Sequence, residues 1–439
     1  MLIAPIKKDK VPELRTVLEA MNTPCVADNK KLPFGKLQRV HFARFVILDA
    51  DEAHDCQASL VFSTCYDPPG AEHLSELLDV GEAGLREVFA FCEGFPESAI
   101  REDILAFMQA RRKKPETFYI GVHGRSLIQI RAEAALRDHI EQFLDKTGIP
   151  TSEDARQQIY GRIQQDVLAH KDKLGWAAEP DAKDTVYQRV LDWRGFAVVV
   201  AAALVVLGVF WVVIGPAMLA GLFVLVFGAW LLLLLLHEFC DRRHDPLLGD
   251  ELPPDKTEQI KQRIKRLAEF EDRTANNQFT SLNLVKPGPF RKFTQWVVLT
   301  AINFIARYFS KKGSLSGIPT IHFARWVMVD GGKRLLFESN YDGSWERYLG
   351  DFVDKAKYGL TAVWSNTVGF PPSCLLFLDG AADEQPFKSV ARTSQIETQV
   401  WYSAYPQLTT KNISNNREIH RGLFGNVKDE KTKKWLARF

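Results

Sequence analysis

His41-Phe42-Ala43-Arg44-Phe45-Val46 returns late in the chain as His322-Phe323-Ala324-Arg325-Trp326-Val327. The resemblance extends outward. Phe62-Ser63-Thr64-Cys65-Tyr66-Asp67 and Glu93-Gly94-Phe95-Pro96 follow the first copy; Glu338-Ser339-Asn340-Tyr341-Asp342 and Val368-Gly369-Phe370-Pro371 follow the second. The interval from Asp67 to Gly94 equals that from Asp342 to Gly369, which chance does not produce, so the chain reads as one unit written twice.

Each copy carries the same pattern of elements. Leu2–Ile6 and Phe279–Val285 open as strands, and Pro12–Met21 and Phe290–Phe309 have helical spacing. Val40–Leu48 with Ser59–Thr64, and Thr320–Val329 with Arg334–Ser339, read as β-hairpins. Helices follow at Glu72–Phe91 and Trp345–Trp364, and last strands at Thr117–Val122 and Thr398–Ala404. In the first copy a helix near Glu97–Arg112 precedes the last strand and another at Ser126–Leu144 trails it. The order is β-α-β-β-α-β twice, the ferredoxin-like split βαβ arrangement of an α+β protein.

The copies are separated by an apolar segment. From Gly195 to Leu236 there is no Asp, Glu, Lys, Arg, His, Asn, Gln, Ser or Thr. Crossing a bilayer takes roughly 20 apolar residues, and the run divides at Gly215-Pro216 into Phe196–Ile214 and Ala217–Leu236. A two-helix transmembrane hairpin is expected, because proline stops the first helix and glycine lets the backbone reverse. Arg189 and Arg194 precede it and Arg242 and Arg243 follow it, so the positive-inside rule places both polar regions in the cytoplasm, with the chain integral to an inner or plasma membrane. The plan is a first unit over 1–150, a helical linker over 151–194, the hairpin over 195–237, a second linker over 238–278 and a second unit over 279–439.

Composition narrows the function. Lys plus Arg (56) nearly balances Asp plus Glu (54), for a net charge of +2, which excludes a nucleic-acid binder driven by bulk charge. Six cysteines form no CxxC pair and give no zinc framework. There is no GxxxxGK(S/T), GxSxG or HExxH, so kinase-like, serine-hydrolase and zinc-hydrolase chemistry have no footing. The partners expected are the lipid bilayer, a hydrophobic small molecule and further copies of the chain. Polar stalks at Ser152–Lys171 and Asp255–Glu271 flank the apolar run, and Lys256, Lys261, Arg263, Lys265 and Arg266 suit anionic lipid. The aromatic-rich helix Phe290–Phe309, with Lys311-Lys312 beyond it, reads equally as lying in the membrane interface or as buried between the copies.

The duplicated element order resembles the dimeric α/β-barrel superfamily, in which two ferredoxin-like units join face to face. Members with two units in one chain include dye-decolourising peroxidases and chlorite dismutases, which hold haem in the second unit; others are cofactor-free monooxygenases or binding modules. That resemblance implies a haem-like ligand in the second copy, with His322 and His420 as candidate ligands and Arg325, Tyr341 and Asp342 as candidate catalytic groups. His41, Arg44, Tyr66 and Asp67 are the structural counterparts in the first copy, and no metal beyond haem iron is expected. The peroxidase Gly-x-x-Asp-Gly motif is missing, because Val327, Ser339 and Leu376 stand where its glycine should be.

Strand alternation sends His41, Ala43 and Phe45 to one face and Phe42, Arg44 and Val46 to the other. Asp67 and Asp342 are expected to pair Arg44 and Arg325 and to cap the helix that follows. Two functions fit. One is a membrane-anchored, cytoplasm-facing oxidoreductase, peroxidase-like or cofactor-free, acting on a lipid-soluble substrate; the other is a non-enzymatic scaffold that oligomerises through its duplicated domains.

Overall fold

The computed structural model describes residues 1–23, 25–97, 100–149, 152–179, 186–244, 254–308, 315, 317–425 and 429–439. Lys311, Lys312 and the side chains of Arg189, Arg194, Arg242, Arg243 and Lys256 lie outside the described part. The first half runs β1 (Leu2–Pro5), α1 (Val11–Ala20), β2 (Val40–Leu48), β3 (Ser59–Tyr66), α2 (Gly70–Phe89), α3 (Arg101–Ala110), β4 (Thr117–Ile120) and α4 (Leu127–Thr147). Then come α5 (Glu153–Ala169), α6 (Lys171–Leu174), α7 (Val186–His244) and α8 (Pro254–Phe270). The second half is β5 (Asn276–Leu284), α9 (Pro289–Tyr308), β6 (Ile321–Val329), β7 (Arg334–Asp342) and α10 (Trp345–Trp364), then β8 (Ser373–Cys374), β9 (Leu378–Asp379), α11 (Glu384–Ser394), β10 (Val400–Ser403), α12 (Thr410–Leu423) and α13 (Asp429–Leu436).

The protein is α+β, with two antiparallel four-stranded sheets ordered β1-β3-β2-β10 and β4-β6-β7-β5. Neither sheet closes within one half. β10 pairs with β2 of the first half, and β4 pairs with β6 of the second. Sequence order alone had each half completing its own sheet; the structure exchanges the last strands. The reason is visible at the opposite edges, where the chain after α3 touches β1 only at the single bridge Leu2–Arg112. Likewise the chain after α11 bridges β5 only at Ser281–Gln395, with Thr398 Oγ1 3.0 Å from Thr280 Oγ1 beyond it. Each chain then leaves that edge and adds its short strand to the other sheet.

The duplication holds in detail. Ile6 bridges Cys92 as Val285 bridges Thr367, and Gly94 (φ 70°) and Gly369 (φ 80°) both take the left-handed conformation, where a side chain would be strained. Helices cover the outer face of each sheet. Leu74, Leu77, Leu78, Leu85, Val88 and Phe89 of α2 are buried against the first sheet, each contributing roughly 1.5–3 kcal/mol of burial. α9, α10 and α11 do the same on the second sheet. The inner faces meet directly, with Val46, Leu48 and Val61 against Val327, Val329 and Leu336. A helical layer of α4, α5, α12 and α13 shares a further core through Leu136, Ile140, Ile163, Val167, Ile419 and Trp435.

Two expectations change here. α7 is helical throughout Val186–His244, so the backbone makes no reversal at Gly215-Pro216. Proline deletes one backbone donor, but a single lost bond within an apolar run is not a turn. Within α7, Ala220–Phe239 is long and apolar enough to cross a membrane, and only 11% of that window is buried. Its last turns dock on the second half: Leu234 is buried, and Glu238 Oε2 accepts the Leu375 N–H at 2.8 Å. Nor does α9 lie between the copies. It sits outside the second sheet, burying Val298, Leu299 and Ala306 while Phe293, Trp296 and Ile305 are exposed.

Candidate functional site

The seam between the two sheets gathers the repeated polar residues. A β-bulge interrupts the β2–β3 ladder between Val40 and Phe42, and a matching one interrupts β6–β7 between Ile321 and Phe323. Each bulge therefore falls on the histidine. A bulge inserts one extra residue and re-aims a side chain, so His41 does not follow Ala43 to the helix-covered face. Its ring lies 5.5 Å from that of Phe323 and 5.7 Å from that of Tyr405, and the His322 ring lies 5.3 Å from that of Phe42. Both histidines join the arginines in the seam, where simple alternation had divided them.

The expected Arg–Asp pairing does not form. Asp67 and Asp342 stand at the strand ends, opposite the bulges, and take the histidines: His41 Nε2 lies 3.0 Å from Asp67 Oδ1, and His322 Nε2 lies 2.6 Å from Asp342 Oδ1. The second oxygen of each aspartate reaches the trailing helix rather than the following one. Asp67 Oδ2 accepts the Leu127 N–H at 2.8 Å, and Asp342 Oδ2 accepts the Thr410 N–H at 2.7 Å. Negative charge at a helix N-terminus satisfies an orphan donor and opposes the helix dipole favourably. Each dyad thus ties a strand end to α4 or α12.

The arginines cross the seam. Arg44 Nη1 donates to Thr280 Oγ1 at 2.7 Å, and its Nη2 donates to Ser339 O at 3.0 Å and Asn340 Oδ1 at 2.5 Å, all in the second half. Arg325 donates back to Ser63 Oγ at 2.8 Å, Thr64 O at 3.2 Å and Cys65 Sγ at 2.6 Å in the first half. Of the two, among the described residues, Arg325 alone has a carboxylate within 4 Å, Glu338 at 3.6 Å, which also accepts from Ser63 Oγ at 2.5 Å. Arg44, Arg325 and Glu338 are 2%, 5% and 2% exposed, so their charges depend on one another. Burial pulls the Arg44 pKa below the ordinary guanidinium value, with Glu338 acting in the opposite sense, and burial raises the Cys65 thiol.

The remaining candidates do not converge. Tyr341 faces the helices, fully buried and stacked on Tyr348 at 3.8 Å between ring centres, and burial lifts its pKa far above the usual phenol. Tyr66 stacks on His73 at the same 3.8 Å. Both tyrosines pack as i, i+7 partners with the helix below, away from the seam. His420 lies in the helical layer, its Nδ1 3.2 Å from Glu133 Oε1 and its ring against Trp176. Sequence reasoning missed Glu338, Asn340, Thr280 and Tyr405. A carboxylate directly after the apolar run Leu335-Leu336-Phe337, in the middle of a strand, was the available signal.

Space decides what the seam can hold. Phe42, Phe323, Phe118, Trp401 and Tyr405 fill the end beside the dyads. The two best-formed cavities among the described residues hold about 20 Å³ each, and both lie on helix-covered faces, one lined by Phe279, Phe337, Trp364 and Phe370 and the other by Thr64, Tyr66, His73 and Arg112. A haem does not fit this arrangement. His322 gives its Nε2 to Asp342, and its Nδ1 is buried and without a hydrogen-bond partner in a ring packed 5.3 Å from that of Phe42. His420 belongs to another layer altogether. Compared with known proteins, this chain matches no family, no curated protein and no solved structure.

Proposed function

We propose that this chain is a membrane-anchored scaffold, a ferredoxin-like pseudo-dimer whose halves are locked together beside a bilayer and which carries out no chemistry in its seam. The filled seam is the observation that carries this reading. Phe42, Phe118, Phe323, Trp401 and Tyr405 occupy its end beside the dyads, and Val46, Leu48 and Val61 meet Val327, Val329 and Leu336 elsewhere in it, whereas ligand sites for small organic molecules run to about 300–1,000 Å³. The Nη groups of both arginines donate to the opposite half. In this reading His41, Arg44, Asp67, His322, Arg325 and Asp342 are structural clamps, Tyr66 and Tyr341 are packing residues, and no haem is bound.

The exchanged strands bear on the membrane. Because both halves contribute to both sheets, the two ends of the apolar segment share one side of any bilayer it enters. A single crossing would pull β4 from β6 and β10 from β2, so the number of crossings is even. Ala220–Phe239 supplies one crossing. Phe196–Ile214 would supply the return in this reading only if the helix that is continuous at Gly215-Pro216 in the structure opens there in a bilayer, and the flanking arginines keep both halves cytoplasmic. The exposed Phe293, Trp296 and Ile305 of α9 lie on the helix that α7 packs against, which suits contact with the same bilayer.

Haemin titration of the detergent-solubilised chain tests the absence of a ligand site. The expected spectrum is that of free haemin, identical for wild type, His322→Ala and His420→Ala. A Soret band in the wild type that either variant abolishes would overturn the scaffold reading.

A further inference from the structure

We infer that the helical layer of the first half holds a divalent transition-metal site formed by His139, Asp166 and His170. His139 projects from α4. Asp166 stands in the last turn of α5, and His170 follows it by four residues at the α5–α6 junction, so both lie on one face, turned toward α4. His139 Nε2 is 2.6 Å from Asp166 Oδ2, and His170 Nδ1 is 3.8 Å from Asp166 Oδ1. The two imidazole rings meet at 4.8 Å and 65°. One donor atom from each residue lies within 4.8 Å of the other two.

These separations approach a coordination shell. Zinc bonds of about 2.0–2.2 Å in a tetrahedron set neighbouring donors roughly 3.3–3.6 Å apart, so donors now up to 4.8 Å apart have to draw together, and His170, whose Nδ1 meets the Asp166 carbonyl at 2.8 Å, binds through Nε2 or gives up that contact. Two imidazoles with one carboxylate suit zinc, cobalt or nickel, whereas calcium and magnesium call for oxygen donors. The helices that carry the donors are already fixed, because Leu136, Ile140 and Leu144 of α4 pack against Ile159, Ile163 and Val167 of α5. His139 and Asp166 are about a quarter exposed and His170 about half, which leaves a path for the ion and a fourth position for water. An exposed His–Asp pair by itself is worth little; it is the second imidazole, brought in across the helix junction, that makes a chelate. The site would staple α4 to α5 just before the chain enters α7, and it is independent of the scaffold reading.

Zinc titration of the full chain in detergent by calorimetry, compared with His139→Ala and His170→Ala, tests this. One equivalent should bind to wild type and raise its Tm. Loss of an outer-shell partner commonly weakens a site by about 10–100-fold, so loss of a ligand should cost at least tenfold in each variant, while His54→Ala, which alters an exposed histidine elsewhere, binds as wild type does. Cobalt added in place of zinc should give a tetrahedral visible spectrum that both variants lack. Equal zinc affinity in wild type and both variants would overturn the site, as would a cobalt spectrum unchanged from the aqueous ion. His139→Gln, with its metal-free Tm measured alongside, separates loss of binding from loss of fold.

Discussion

The two halves present the same His-x-x-Arg strand to one seam, yet only the second sets a carboxylate beside its arginine. Ser63 faces Arg44 across β2–β3, whereas Glu338 faces Arg325 across β6–β7. The contrast extends to the neighbouring positions. His41 has the Tyr405 hydroxyl at 2.9 Å on its Nδ1, while the buried His322 Nδ1 has no partner, because Val122 occupies the corresponding place after β4. Beneath the twin tyrosines, the first half stacks His73 where the second stacks Tyr348. A shared backbone has thus been filled with different polar groups, and each half supplies what the other lacks.

The largest expected effect breaks the clamp symmetry. Arg325→Met leaves Glu338 buried without its neighbouring guanidinium and should cost about 3–5 kcal/mol. Arg44→Met strands neutral acceptors while Glu338 keeps the Arg325 guanidinium beside it, and should cost about 1–3 kcal/mol. Equilibrium unfolding in detergent checks the difference, and equal losses would mean that the Glu338 asymmetry has no energetic weight.

Acid should weaken the first half in particular. Burial holds the His73 pKa down at about 3 against an ordinary 6.5. Below pH 6.5 the unfolded chain takes up a proton that the folded chain refuses, so stability falls as the pH drops from 6.5 toward 3. Between pH 6.5 and 5 this group alone removes about 2 kcal/mol. His73→Phe keeps the stack, as Tyr348 does in the other half, and should flatten that part of the stability–pH curve whatever its effect at neutral pH. An unchanged slope would show that His73 titrates in the folded protein much as it does in the unfolded one.

The smallest effect tests the histidines. Tyr405→Phe makes His41 resemble His322 by emptying its Nδ1, and the unpaired buried nitrogen should cost about 1–2 kcal/mol in the same unfolding assay. No loss would mean that the His41–Tyr405 bond contributes nothing beyond the Asp67 dyad.

Much of this was legible in the sequence. Repeated motifs and hydrophobic period placed Val40–Leu48, Trp345–Trp364 and their counterparts within a residue or two, because both copies report the same pattern. The seam was legible only in part. Nothing in His41-Phe42-Ala43 marks a bulge, so alternation put the histidine on the wrong face and left the aspartate for the arginine. Which sheet β4 and β10 join was also hidden, since a four-residue strand has a pleat but no address; the exchange is decided by the edges that α3 and α11 leave behind.

Halves that share their sheets must lie on one side of any bilayer that α7 enters. Single-cysteine chains retaining only Cys25 or only Cys374, both solvent-accessible, can be labelled in sealed vesicles with a membrane-impermeant maleimide. Both should react from the same face and at neither site from the other. Labelling of Cys25 from one face and Cys374 from the opposite face would contradict the exchanged sheets outright.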